Sequence, residues 1–431
     1  MKAVQISAGL KGKLPLISWC IYGWASDTFP VLITTFVFST YFINHIAVDK
    51  IIGTYQWANA SAIAGLFIAF GGPVFGALAD QGGNHKAWLA FFTFCCIICT
   101  SLLWFAYPSP HYVHSSLALF ILATICLEIA GIFYNSFLLF LAPQAYFGRI
   151  SGWGWGMGYL GGILALAIIL EISALHPVPW LDPKTFEQIR IVGPFSAVWF
   201  ALFSLPLFLF VPNTPPTRQS LGKTVRAGFR RLGTTVKMLF QEKNILIYLL
   251  ARMIYNDGLN TLFAFGGIFA AGTFHFTFTD ILLFGITLNT LAGLGALTLA
   301  WLDDWLGSKP TILVSLTMLI LFSVVLLLTQ GRFWFWLTAC GLALFIGPVQ
   351  AASRSLMAHL TPPNKTSELF GLYALTGRIT AFLGPWILGL VTLHFQSQRA
   401  GVATILIFFI FGWLLLWRVR IANSGQRGKI G

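Results

Sequence analysis

Residues 76–86 read Gly76-Ala77-Leu78-Ala79-Asp80-Gln81-Gly82-Gly83-Asn84-His85-Lys86, and residues 304–309 read Asp304-Trp305-Leu306-Gly307-Ser308-Lys309. Each is a short polar loop between two long apolar runs, with an acid, a glycine and a lysine in the same order. Loops that recur at corresponding places mark an internally duplicated membrane unit. Reading outward from them, the apolar runs number twelve: 16–42, 55–80, 88–107, 116–141, 150–173, 191–211, 245–272, 280–302, 310–329, 333–358, 367–394 and 400–417. A spanning helix needs about 20 mainly apolar residues and a spanning strand only about ten, so these are helices. The sequence therefore predicts an all-α membrane protein of twelve transmembrane helices in two pseudo-symmetric six-helix bundles. The expected division is residues 1–211, a basic linker over 212–244, and residues 245–431.

Composition agrees. Of the 431 residues 57% are hydrophobic and 9% charged, and the mean hydropathy is +0.80. A soluble domain carries about 25% charged residues, because water must solvate its surface. The net charge of +13 sits in short loops and tails and leaves no basic face for nucleic acid. Cys20, Cys95, Cys96, Cys99, Cys126 and Cys340 fall inside apolar runs, which reads as packing rather than a disulfide framework or a metal site. The first apolar run lacks a small-residue cleavage site and is expected to stay as a spanning helix.

The charges also set an expected orientation. The 212–244 stretch holds Arg218, Lys223, Arg226, Arg230, Arg231, Lys237 and Lys243 against one acid, Glu242. With both termini inside, eighteen of the 26 Lys and Arg fall on the cytoplasmic side and five (Lys50, Lys184, Arg190, Arg332, Arg399) outside. That bias predicts that both termini face the cytoplasm.

The repeat extends beyond the loops. Pro143, Gly152 and Gly158 recur 219 residues later as Pro362, Gly371 and Gly377, and Asn135 is matched by Arg354. The pattern Gly76-x-x-x-Asp80-x-x-Gly83-x-x-Lys86 resembles the signature loop of the major facilitator superfamily. Within it, the chain resembles the vacuole effluxer family, bacterial relatives of the fungal vacuolar amino-acid exporter. Four stretches carry this: Ser151-Gly-Trp-Gly-Trp-Gly-Met-Gly-Tyr-Leu-Gly-Gly162, Ala251-Arg-Met-Ile-Tyr-Asn-Asp-Gly-Leu-Asn-Thr-Leu-Phe-Ala-Phe-Gly-Gly267, Gly347-Pro-Val-Gln-Ala-Ala-Ser-Arg-Ser-Leu-Met357 and Phe370-Gly-Leu-Tyr-Ala-Leu-Thr-Gly377. One departure stands in the first helix, where the family's usual Tyr-Asp-Trp-Ala-Asn-Ser is here Tyr22-Gly-Trp-Ala-Ser-Asp27. The acid is missing at Gly23, and one is present a helical turn later.

A charge at mid-bilayer costs at least about 2.5–3.5 kcal/mol, so it lines a cavity or pairs with another group. Asp27, Glu128, Asp257 and Arg378 fall near the middle of the first, fourth, seventh and eleventh helices, whereas the third, sixth, ninth and twelfth have no charged residue in their interiors. Helical spacing puts Glu128, Gly131 and Asn135 on one face. It likewise groups Arg252, Asn256 and Asn260, with Asp257 beside them, and pairs Gln350 with Arg354. Asp257, Asn256, Asn260, Arg378, Asp27, Glu128, Asn135 and Gln350 are the candidates for solute or coupling-ion contact. Asp80, Gly83, Lys86, Arg149, Asp304, Arg354 and Glu368 are the candidates for a cytoplasmic gate. In the resembled superfamily each signature loop packs against the opposite half, which implies Asp80 and Lys86 near Glu368, and Asp304 near Arg149.

No Gly-x-x-x-x-Gly-Lys-Ser/Thr, His-Glu-x-x-His or Gly-x-Ser-x-Gly motif occurs, so neither ATP-driven pumping nor hydrolysis is expected. The expectation is a monomeric secondary transporter in membrane lipid, with no cofactor and no metal. It would move a small polar solute by alternating access, with proton coupling through a mid-membrane carboxylate. The family resemblance implies amino-acid efflux. A transporter-like receptor without flux, or a facilitator of another metabolite or drug, is the alternative.

Overall fold

The computed structural model describes residues 10–81, 84–141, 147–213, 242–298, 306–360, 373, 376, 377 and 379–420. Twelve helical spans can be followed among the described residues. In the first half they are α1 (Lys13–Ile46), α2 (Lys50–Gln81), α3 (His85–Leu102), α4 (Val113–Leu141), α5 (Phe147–Leu170) and α6 (Val192–Phe210). The second half has α7 (Lys243–Phe274), α8 (Phe278–Thr298), α9 (Ser308–Leu328), α10 (Arg332–Leu360), α11 with its continuous part at Leu383–Phe395, and α12 (Gln398–Trp417). Among the described residues nine helices are long and apolar enough to cross a membrane. The 32-residue α2 and α7 are also long enough to cross.

Exposure shows which helices meet lipid. Phe91, Phe94 and Ile98 on α3, Val198, Leu202 and Leu205 on α6, Leu321, Val324 and Val325 on α9, and Ile407, Phe411 and Leu414 on α12 are all exposed. Their three- and four-residue spacing makes one apolar stripe per helix, directed away from the bundle. These are the helices whose interiors lack charge in the sequence. Hydrocarbon is the only surrounding in which so much exposed apolar surface is stable.

Helices α1, α3 and α6 pack together in the first half, as do α7, α9, α10 and α12 in the second. Between the halves α2 packs on α11, α5 on α8, and α7 on α1. Hydrogen bonds join the halves at the end remote from the termini. There Gln398 Nε2 donates to Thr54 Oγ1 at 2.7 Å, and Lys50 Nζ approaches Gly272 O at 3.4 Å and His275 Nδ1 at 3.3 Å. Deeper in, Gly267 on α7 lies against the backbone of Thr35 and Phe36 on α1, with no room for a side chain. The 212–244 linker falls outside the described residues except at its two ends.

Two lining helices are irregular for local reasons. Helix α1 changes to π-helical turns over Phe29–Phe36, directly after Asp27, where Pro30 removes a backbone donor. In α11 the turn at 380–382 is irregular: Leu383 N bonds Thr380 O at 2.8 Å, three residues back rather than four. Pro385 explains it, since it has no N–H for Ala381 O and its ring crowds that carbonyl. A new helix starts at Leu383, which puts Pro385 in its first turn, where a missing N–H costs least.

Arg190, counted on the outer side in the sequence, ends a short helix just before α6 and is completely buried. Its Nε donates to Trp104 O at 2.8 Å, its Nη1 to Thr185 O at 3.1 Å, and its guanidinium lies 3.9 Å over the Tyr107 ring. It fastens the start of α6 to the end of α3. A guanidinium with fixed donors and aromatic faces can be buried this way without a carboxylate partner.

Candidate functional site

The described polar residues of the spans form two clusters, one in each half. In the second half, α7 presents Arg252, Asn256 and Asp257, all buried. Asn256 accepts from Gln350 Nε2 of α10 at 3.2 Å and donates through Nδ2 to Gly377 O at 3.3 Å. Arg252 Nη1 donates to Tyr373 O at 2.6 Å and lies 3.4 Å from Thr376 Oγ1, and its guanidinium stacks 3.5 Å from the Tyr373 ring centre. Asp257 Oδ2 accepts from Gly384 N at 3.1 Å, while Oδ1 is buried without a hydrogen-bond partner. The face-sharing of Arg252 and Asn256 expected from helical spacing holds. Asn260, a turn further along α7, is exposed.

In the first half Asp27 of α1 lies against α5. A Cβ on Gly158 would overlap Asp27 Oδ2 and come within 2.8 Å of its Cγ, so glycine is what lets the carboxylate sit there. Glu128 of α4 is within electrostatic reach of Asp27, and so are Tyr134 and Tyr159. Tyr134 stacks on Trp19 with ring centres 4.6 Å apart, and Trp19 Nε1 donates to Tyr134 O at 2.9 Å. The arrangement is two carboxylates on facing helices, walled by aromatic rings. Asn135, next along α4 from the stacked Tyr134, is exposed.

Arg354 is half-buried on α10 and within electrostatic reach of Tyr159 on α5, across the boundary between the halves. Of the expected gate, Gly83, Asp304 and Glu368 lie outside the described residues, as does the solute candidate Arg378. For Asp80 and Arg149 only the helical backbone is described. Lys86 donates its backbone N–H to Asn213 Oδ1 at 3.4 Å, tying the loop to the end of α6 in its own half. Lys309 in the matching loop donates to Trp417 O and Val419 O at 2.9 and 2.7 Å, which caps the C-terminus of α12.

Three structural features escape a reading of the residues alone: the Arg252–Tyr373 stack, the glycine cradle of Asp27, and the Thr54–Gln398 bond between the halves. The first two have a faint signal, since Gly158 and Gly377 are repeat-related. Thr54 and Gln398 have none.

Comparison with known proteins places these features in a family. Residues 58–147 and 144–429 match the profile described as vacuole effluxer Atg22 like. An uncharacterised MFS-type transporter of Bacillus subtilis (strain 168), YxiO, is 24% identical over 406 residues, covering 93% of each chain. Autophagy-related protein 22 of Cryptococcus neoformans is 25% identical over 304 residues, which are 65% of this chain but 54% of the fungal one. Among solved structures, a D-xylose–proton symporter superposes with a TM-score of 0.68 at 14% identity, covering 96% of this chain and 98% of that one. A bacterial homologue of the lysosomal transporter Spinster, inward-facing and unoccupied, does so with a TM-score of 0.66 at 13% identity, covering 97% and 100%. With twelve spans, two six-helix halves and a profile match over most of its length, the chain belongs to the vacuole effluxer family and is a membrane transporter of the major facilitator type, not an enzyme.

Proposed function

We propose that this protein is a secondary active transporter that exports a small polar solute, with amino acids the first class to test, by alternating access coupled to protons. The observation that carries the proposal is a buried polar cluster on the spans of each half. Asp27 with Glu128 forms one in the first half, and Asn256 with Gln350 forms the other in the second. The halves touch through Gly267 and Thr54–Gln398 toward the end remote from the termini. A transporter that exposes its site to one side at a time needs this combination of a mid-membrane polar site and a breakable contact on one side of it.

Within this reading the solute rests against Gln350, whose amide offers a donor and an acceptor to a zwitterion and is held in place by Asn256. Asp27 carries the proton: its carboxyl is seated against Gly158 of α5, with Glu128 of α4 within electrostatic reach. Both termini face the cytoplasm of a bacterial cell, and the contact through Thr54 and Gln398 closes the outer side. The family's name favours efflux, and the fungal relatives are named for autophagy.

The test is flux. Purified protein in proteoliposomes, loaded with radiolabelled amino acids one class at a time, should release one class faster than empty liposomes do. An imposed pH gradient should accelerate that release, and a protonophore should cancel the acceleration. Release that matches protein-free vesicles for every amino-acid class and for nucleosides and sugars would remove the transport reading in favour of a receptor on the same scaffold.

A further inference from the structure

Helix α11 is interrupted in the middle of the membrane, and its two parts are held by one neighbour. The part beyond the interruption starts at Leu383, and its Gly384 N–H points at Asp257 Oδ2, 3.1 Å away, rather than at a carbonyl four residues back. Before the interruption, Gly377 O is one of the last carbonyls of its helix and accepts from Asn256 Nδ2 at 3.3 Å. One turn further back, Tyr373 O and the Tyr373 ring are held by Arg252. Every helix end leaves backbone donors or acceptors unmatched, and in a membrane interior no water is present to take them. The three α7 residues meet this need with matching sign. A carboxyl oxygen accepts at the positive N-terminus of one half-helix, and a cation and an amide donor sit toward the negative C-terminus of the other.

The interruption is also where the other half of the protein packs. A Cβ on Gly65 of α2 would lie 3.0 Å from Phe382 N and 3.1 Å from Phe382 Cα, so α2 rests on the irregular turn itself. Beyond it, Gly389 of α11 packs on Ala58 of α2. Helix α11 is thus gripped by α2 of the first half along its outer part and by α7 of its own half across the turn.

We propose that Arg252, Asn256 and Asp257 are positioning residues that cap both sides of this interruption, making 380–382 a joint at which α11 bends when the halves exchange contacts. On this reading Asp257 serves the backbone of α11 and is not the carrier of the coupling proton. Its function in motion rests on the transport reading above; its capping of α11 does not.

The two are separable by experiment. Amide hydrogen exchange is measured by mass spectrometry over 379–395 in nanodiscs, and counterflow is measured in proteoliposomes, for the full chain and for Asp257→Asn, Asp257→Leu and Gly384→Ala. Asparagine keeps an acceptor oxygen for Gly384 N, whereas leucine removes it. The loss of a buried hydrogen bond to a carboxylate corresponds to about ten- to hundred-fold faster exchange at that amide. Asp257→Leu is therefore expected to raise exchange by that factor within 379–395 and to abolish counterflow turnover. Asp257→Asn should stay near the native exchange rate and retain measurable counterflow. Gly384→Ala, whose Cβ would overlap Thr261 Oγ1 and lie 3.2 Å from Asp257 Oδ1, should reproduce the leucine phenotype without changing any charge. It decides the matter if the leucine variant does not fold.

Native exchange in Asp257→Leu, or in Gly384→Ala should the former not fold, overturns the capping. Loss of counterflow in Asp257→Asn with native exchange overturns it as well, because the carboxylate would then act on solute or proton. If the native protein shows no flux at all, the transport reading fails while the exchange data still decide the cap.

Discussion

Substituting Gly267 by alanine adds one methyl group at a place where the two halves touch. That Cβ would overlap the carbonyl oxygen of Thr35 and lie 3.2 Å from Phe36 Cα and 3.3 Å from Thr35 C. Non-bonded carbon contacts are optimal at about 3.5–4.0 Å, so α7 and α1 must separate. Overfilling a packed contact costs about 1–3 kcal/mol. The cost falls only on the state in which the halves are closed at the end remote from the termini, because the clashing atoms belong to different halves. The equilibrium should therefore move about 5- to 150-fold toward the state open at that end. Gly266 is the internal control: a Cβ there meets nothing within 4 Å, so Gly266→Ala should leave the equilibrium unchanged. Spin labels at Val48 and Phe395, both exposed and in opposite halves at the remote end, report the separation by pulsed electron resonance. The expected result is a longer-distance population in Gly267→Ala and an unaltered distribution in Gly266→Ala. Identical distributions in both variants and the native protein would refute the steric argument and the assignment of this contact to one transport state.

Other expectations follow from the same geometry. Gln398→Leu removes the bonds to Thr54 and Thr273, each worth about 0.5–1.5 kcal/mol, and should move the same spin-label distances in the direction of Gly267→Ala; Thr54→Val should do so by a smaller amount. Gly158→Ala displaces the Asp27 carboxylate. It should abolish release driven by a pH gradient while solute exchange without a gradient persists, and a full response to the gradient would show that Asp27 does not need this position. For topology, a cysteine at exposed His111 should react with an impermeant thiol reagent in intact cells, and one at exposed Asn213 should not, both in a background without the native cysteines. The reverse labelling pattern would invert the orientation.

What the sequence by itself determined is what depends on local composition and period. Runs of apolar residues long enough to cross a bilayer define the twelve spans, because hydrocarbon tolerates no bare backbone, and the charge-free interiors of α3, α6, α9 and α12 agree with the lipid side that the superfamily resemblance implies for them. The polar stripe of α7 is legible for the same reason: Arg252 and Asn256 stand four residues apart. The tertiary structure decided what those residues bind. Asp257 meets a backbone N–H 127 residues away, Arg252 a backbone carbonyl 121 residues away, and Arg190 the carbonyl of Trp104. Every residue but proline has such donors and acceptors, so no residue type advertises them. The interruption of α11 lies between the two. Gly384-Pro385 is visible in the chain and breaks the helix by simple sterics. That Asp257 caps the break, while Asn260 three residues on is exposed, follows only from where α11 lies against α7.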